Sequence, residues 1–289
     1  MTSAVFLLFV GNKCNPGREQ EEKGEPYQWG KELELDTVAV DPDKTYYPKA
    51  EGTFRIMSYN VGALHKYIPD LTENVNMVAS MIIEARADVV GLNELDSCNA
   101  RCNHYQLKLL AQAAGKWDYF YGKTLDYRGG AYGNGIMIPS GARVMKVSRL
   151  CFENKTSYES RGMIVVETDR YVVATTHLDH SSQAYIQSQI AEINTWMREE
   201  YADCDKPVFL CGDMNSRPDS EAIQTLCTVW NIISNTEELT TARSTIDYIF
   251  HLKRSAPVEV LGAGTMTRFY HGDATIASDH LPIYADVSF

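Results

Sequence analysis

Short apolar or alternating segments follow one another closely along this chain, and few stretches between them carry helical periodicity. Phe54-Arg55-Ile56-Met57-Ser58-Tyr59-Asn60 alternates apolar and polar side chains, the period of a strand. Residues 88–92, 119–121, 135–138, 163–168 and 171–176 read as further strands, as do 207–211, 245–251, 258–262 and 280–287. Val75, Val78, Met81, Ile82 and Ile83 recur at helical spacing within 71–87, and residues 105–114 and 221–227 predict two shorter helices. Ser181 or Ser182 is placed to cap another, whose Ile186, Ile190, Ile193 and Met197 form one apolar core stripe. Numerous strands with a few helices among them predict a layered α/β fold, with helices covering two packed sheets, not a βαβ-wound single sheet.

Composition narrows the class. The 289 residues are 44% hydrophobic and 22% charged, ordinary usage for a globular chain able to bury a core without staples. No apolar run approaches the ~20 residues that a membrane span needs. Against 38 acids stand 27 Lys and Arg, a net charge of −11. That balance argues against tight nonspecific nucleic-acid binding, which rests on a basic footprint. A bound divalent cation still makes a site locally electropositive on an acidic protein. The densest basic segment, 143–149 with Lys146, reads as a solvated strand edge, and the aromatic 117–121 as a core strand.

Seven cysteines are loosely spaced, and Cys98 and Cys102 are the only close pair. The spacing is neither that of a zinc ribbon nor that of a redox motif, and it allows a bridge if the protein is exported. The apolar run 4–10, followed by Cys14 and a polar tract, resembles the tail of a bacterial lipoprotein signal, although Lys13 precedes the Cys and no basic region leads it. The expectation is an exported protein, periplasmic or at the cell surface and lipid-anchored at Cys14, with a cytoplasmic location as the alternative. Residues 15–52 are polar and read as a linker or edge extension. The chain thus divides into an N-terminal segment, 1–52, and a domain, 53–289.

Polar, chemically capable residues close many of the strands. Asn60 ends the first, and Glu94 follows the second. His177 ends the strand at 171–176, and Asp213 and Asn215 follow 207–211. Asp247 lies inside 245–251, while Asp279 and His280 open the last strand. One such Asn or Asp is a turn former. Six such places in one chain suit a catalytic cluster carried on rigid strand ends.

These residues fall in ordered motifs: Ser58-Tyr59-Asn60, Gly91-Leu92-Asn93-Glu94, Thr176-His177-Leu178, Gly212-Asp213-Met214-Asn215, Ile246-Asp247-Tyr248-Ile249 and Ser278-Asp279-His280, with Tyr132-Gly133-Asn134-Gly135 between. From Phe54 to Phe289 the chain resembles the endonuclease/exonuclease/phosphatase superfamily of metal-dependent phosphoesterases. Asn93 stands where the family often has Gln, and Met214 where it has Phe. Thr176-His177-Leu178-Asp179-His180 is similar to an extracellular bacterial branch, but Ala184 and Tyr185 stand where that branch tends to carry an Arg.

The resemblance implies a four-layer α/β sandwich, two packed, mainly antiparallel sheets flanked by helices. It implies Mg²⁺, with Mn²⁺ or Ca²⁺ as substitutes, held by Glu94 with Asn60 and Asp279, since a hard cation offsets charge on a phosphate and takes few protein ligands. Asp213 would orient or deprotonate the attacking water, and Asn215 would hold a phosphate oxygen. His280, oriented by Asp247, would bond the scissile phosphate, and His177 would protonate the leaving oxygen or steady phosphate charge. Asn134 and Arg161 are expected phosphate contacts, and Asp179 and His180 an extension of the site. The expected substrate is a phosphoester, a small molecule or lipid head group ahead of nucleic acid. An extracellular or repair nuclease is one alternative, and a non-catalytic binding module on the same fold another. The sequence leaves the oligomeric state open.

Overall fold

A computed structural model describes residues 33–153 and 159–289. The apolar run 4–10 and Cys14 lie outside them. Among the described residues, twelve strands form two six-stranded sheets. The first runs β11 (Glu259–Thr265), β12 (Ile283–Ser288), β1 (Phe54–Asn60), β2 (Val89–Ser97), β4 (Gly130–Pro139), β3 (Trp117–Tyr127). The second runs β5 (Val144–Cys151), β6 (Gly162–Thr168), β7 (Val172–His177), β8 (Val208–Asp213), β10 (Asp247–Leu252), β9 (Trp230–Ile232). β1 and β2 are parallel, as are β7 and β8, and the other neighbours are antiparallel.

The strands have two buried faces, which produces the four layers. In β1, Ile56 points into the space between the sheets with Val89, Ile136, Val173, Phe209 and Ile249. Its neighbour Met57 points outward, under α1 (Leu71–Glu84) and α2 (Gln106–Ala114). On the far side, Val172, Ala174 and Leu210 meet the stripe Ile186, Ile190, Ile193 and Met197 of α3 (Gln183–Tyr201), with Ile223 and Leu226 of α4 (Glu221–Leu226). Each apolar side chain so buried contributes roughly 1.5–3 kcal/mol of transfer free energy. The sheets approach closely at Gly91, where a Cβ would lie 2.2 Å from Cys211 Sγ.

Several local expectations are revised. Ser182 occupies the cap position of α3, but its side chain makes no capping bond. Asp179 instead ties the turn that leads into the helix, its Oδ1 accepting from Ser181 N, Ser181 Oγ and Ser182 N at 2.6–3.1 Å. β2 and β3 run longer than the apolar cores that announced them, because sheet pairing with β4 carries them through polar residues. β9 is a three-residue strand with no sequence signal. His280 precedes the last strand rather than opening it, since Pro282 interrupts the ladder and β12 begins at Ile283. Cys98 and Cys102 are free thiols, and Cys102 Sγ points to His104 O at 3.7 Å. Residues 33–52 form no helix or strand and pack on the first sheet's helical side through Leu33, Leu35, Val38 and Tyr47. No helix among the described residues is long and apolar enough to cross a membrane.

Candidate active site

Three strand registers bring the motif residues to one edge of the sandwich. Asn60 pairs with Asn93 across parallel β1 and β2. His177 pairs with Asp213 across parallel β7 and β8, and Asp247 pairs with Asp213 across antiparallel β8 and β10. Parallel neighbours end at the same edge, so motifs far apart in sequence become adjacent. Asp279 and His280 reach the same edge from the loop before β12, held there by Leu281 N donating to Thr240 O and Ser278 Oγ donating to Asn60 O, both at 2.7 Å.

Asp213 lies at the centre. Its Oδ1 accepts from Asn215 N at 2.8 Å, and its Oδ2 accepts from Asn60 Nδ2 at 3.1 Å. His177 Nε2 stands 3.4 Å and His280 Nε2 3.6 Å from the same Oδ2. Burial, then the charge of Asp247, pushes its carboxyl up to about 7. The His280 ring is locked from behind: Nδ1 lies 2.9 Å from Asp247 Oδ2, which also accepts from Thr240 Oγ1 at 2.6 Å. Burial pulls this imidazole down, but Asp247 and then Asp213 outweigh it and lift it to about 10. His177 moves the other way, far below the ordinary histidine value, through burial and then the charges of Arg161, His280 and His180. Its Nε2 lies 3.0 Å from Asn215 Nδ2.

Two backbone features aim these groups. The β2 ladder shifts register between Leu92 and Leu95, and Glu94 within that bulge has φ +59°. A bulge re-aims a side chain, and a left-handed Glu costs backbone energy that the surrounding pairing must hold. Glu94 thereby faces the cleft, with Oε1 accepting from Asn60 Nδ2 at 3.0 Å. On the other sheet Gly212 has φ +133°, and a Cβ there would lie 1.9 Å from Thr176 O. Asn93 ties the two together. Its Nδ2 donates to Asn134 Oδ1 at 2.9 Å and to Thr176 O at 3.1 Å, and its Oδ1 accepts from Asp213 N at 3.0 Å.

The cleft these groups open into has a volume of about 290 Å³. Glu94, Asp213, Asn215, His177 and His280 line it with Arg161 and His180. Arg161 is buried, with Nη2 3.2 Å from His180 Nδ1 and 3.1 Å from Glu159 Oε2. Its Nε has no partner among the described residues, an orphaned donor at the cleft.

Asn134 and Asp179 do other work, and Asp279 has a partner within the protein. Asn134 is buried beneath the cleft, with both amide ends spent on Asn93 and Gly162 O, so it bridges the sheets instead of meeting a phosphate. Asp179 ties the turn before α3. Asp279 pairs with Lys66 at 2.8 Å, and although burial would raise its carboxyl, Lys66 holds it below the usual range. Asn60 Oδ1 accepts from Gly62 N at 3.1 Å, and its Nδ2 donates to Glu94 and Asp213, which orients Glu94. The hard oxygens of Glu94 and its neighbouring acids fit a divalent cation. Ligand atoms of Asp213, Asp247 and His280 also lie within 4.8 Å of one another, but His280 Nδ1 and Asp247 Oδ2 are already spent on each other. Sequence reasoning missed Thr240 and the cleft wall of Arg101, Leu125, Tyr127 and Tyr132. Tyr132 opens the Tyr132-Gly133-Asn134-Gly135 motif but the others carry no motif signal, and only pairing of β2, β3 and β4 assembles the wall.

Residues 57–280 match the model of the Endonuclease/Exonuclease/phosphatase family, and the chain belongs to that family. Solved structures share the fold at low identity. A mannosyl-6-phosphatase from Bacteroides thetaiotaomicron is 16% identical, with a TM-score of 0.69 over 82% of this chain and 100% of its own. The human Nocturnin catalytic domain with bound sulfate is 18% identical, with a TM-score of 0.65 over 82% and 94%. D. rerio TDP2 with single-strand DNA product is 20% identical, with a TM-score of 0.64 over 83% and 100%. A comparison with curated protein sequences finds no match.

Proposed function

We propose that this chain is a divalent-metal-dependent hydrolase of phosphoester bonds, acting on a small phosphoester by in-line attack of water. The observation that carries the reading is the convergence on Asp213 of Asn60, His177 and His280, beside Glu94, at one cleft. A bound Mg²⁺ at Glu94 would offset negative charge on the phosphate and the leaving oxygen. Asn60 aligns the Glu94 carboxylate for that purpose. Asp213 takes a proton from the attacking water, a role suited to a carboxyl lifted toward neutral pH. His280, kept cationic by Asp247, donates to a phosphate oxygen. Asn215 and Arg161 donate to others. His177 is a neutral, buried imidazole that steadies Asn215 and Asp213, so of its two expected roles it fits support of the phosphate site better than proton donation.

A cleft of this size favours a small molecule or head group over a polymer. Glu94, Asp213 and His280 all remain, which opposes a non-catalytic module. Export rests on the apolar run 4–10 before Cys14. Hydrolysis of p-nitrophenyl phosphate and bis-p-nitrophenyl phosphate tests the reading. Turnover with Mg²⁺ that EDTA abolishes is expected, and the preferred ester separates phosphatase from diesterase. A folded protein without metal-dependent turnover on either chromogenic ester or on natural phosphomonoesters overturns it.

A further inference from the structure

The cleft lining outside the catalytic cluster is built as carefully as the cluster itself. Arg101 leaves the loop after β2 and is gripped by Asp96, a fully buried carboxylate: Nε donates to Oδ2 at 2.7 Å and Nη2 to Oδ1 at 2.8 Å. Its guanidinium lies 4.8 Å from the ring centre of Tyr127 and 5.3 Å from that of Tyr132. A two-pronged ion pair and two aromatic contacts fix the plane of this cation before any ligand arrives, which lowers the ordering cost of binding. The fork leaves Nη1 without a hydrogen-bond partner among the described residues.

Nothing in the proposed chemistry uses this wall. It lines the same cleft as Asp213 and His280, where the part of the substrate beyond the phosphate must sit. Its character defines that part. Arg101 donates and Glu159 accepts, so the wall matches neighbouring hydroxyls, each of which both donates and accepts. Tyr127 and Tyr132, whose faces carry Arg101, leave carbon edges for the C–H groups of a saturated ring. A nucleobase fits less well, because guanidinium groups already engage the π-face of Tyr127: Arg101 and, at 5.2 Å, Arg128.

We propose that Arg101, Tyr127 and Tyr132, with Glu159, form a subsite for the sugar ring of a phosphorylated monosaccharide. The inference rests on the phosphoesterase reading and adds its substrate class. A site that pairs with ring hydroxyls rejects esters lacking them by leaving buried polar groups unmatched.

The test compares phosphate release from mannose 6-phosphate and glucose 6-phosphate with release from ethyl phosphate, whose leaving group is also a primary alcohol. The wild-type chain should favour at least one hexose phosphate by 100-fold or more in kcat/KM. Tyr127→Leu and Arg101→Gln should each cut that ratio at least tenfold. Tyr127→Leu is the safer variant, since Arg101→Gln strips buried Asp96 of its cation. A wild-type ratio near one, a ratio unmoved by Tyr127→Leu, or a preference for nucleoside 5′-phosphates overturns the subsite and leaves the phosphoesterase intact. Calorimetry with mannose 6-phosphate separates the converse case. If no ester is turned over yet the sugar phosphate binds, and Tyr127→Leu weakens binding tenfold, the subsite stands and the hydrolytic reading falls. If it is neither turned over nor bound, the subsite falls as well.

Discussion

His280 Nδ1 lies 2.9 Å from Asp247 Oδ2, and the other ring nitrogen lies 3.6 Å from Asp213 Oδ2. One imidazole therefore joins two buried carboxylates, with Thr240 fixing the outer one. The arrangement holds a cationic donor where a phosphate oxygen would need it. Asp247→Asn should lower kcat by roughly 10²–10⁴ with a smaller change in KM, the usual scale for losing a positioned acid–base group. The same change should move the alkaline limb of the pH profile down from about 10, because Asp247 is the main group raising His280. An unmoved limb would assign it to another group.

The metal-free protein should lose stability as pH rises. Asp213 has a folded value near 7 against an ordinary 3.8, so its contribution is complete below 3.8 and lost as pH passes through about 7. His280 has a folded value near 10 against 6.5, so its contribution is complete below 6.5 and lost toward pH 10. Both slopes have the same sign. Asp213→Asn removes the first, so in EDTA its Tm should exceed the wild-type value at pH 8, with the gap narrowing toward pH 4. Thermal melts across that range check the crossing.

Gly212→Ala should destabilise strongly. Its φ of +133° is open to glycine, and the new Cβ would lie 1.9 Å from the Thr176 carbonyl oxygen in the neighbouring strand. Backbone in a parallel ladder has little room to give, so a loss of at least about 2 kcal/mol is expected in denaturant unfolding. A variant as stable as wild type would mean that the β7–β8 pairing is looser at this point than the geometry indicates.

Asn93→Ala should harm both fold and site. It strands Asn134 Oδ1 and Asp213 N in the space between the sheets, each an unmatched buried group costing about 1–3 kcal/mol. Asp213 would also lose the bond that fixes its backbone. Lower stability together with lower kcat is expected, and a loss of stability alone would show that Asp213 is held without Asn93.

Much of this was legible because apolar runs that stop at Asn60, His177 and Asp213 mark strand ends, and strand ends of parallel neighbours share an edge. The motif order then resembled a family with a known layered fold. What the sequence hid depended on pairing. Asn134 and Asp179 sit in motif-like contexts, yet one bridges the sheets through partners far along the chain and the other ties the turn into α3 through Ser181 and Ser182. The bulge that turns Glu94 arises from register against β4, and the grip of Asp96 on Arg101 matters only because β3 and β4 set Tyr127 and Tyr132 beside it. No periodicity announces such contacts.

The most direct measurement is steady-state hydrolysis by wild type and Asp213→Asn, side by side in saturating Mg²⁺, with circular dichroism confirming that both are folded. The account predicts metal-dependent turnover by wild type and a loss of roughly 10³-fold or more in kcat for the variant, since the base that activates water is gone. A folded Asp213→Asn protein that retains activity within tenfold of wild type would contradict it.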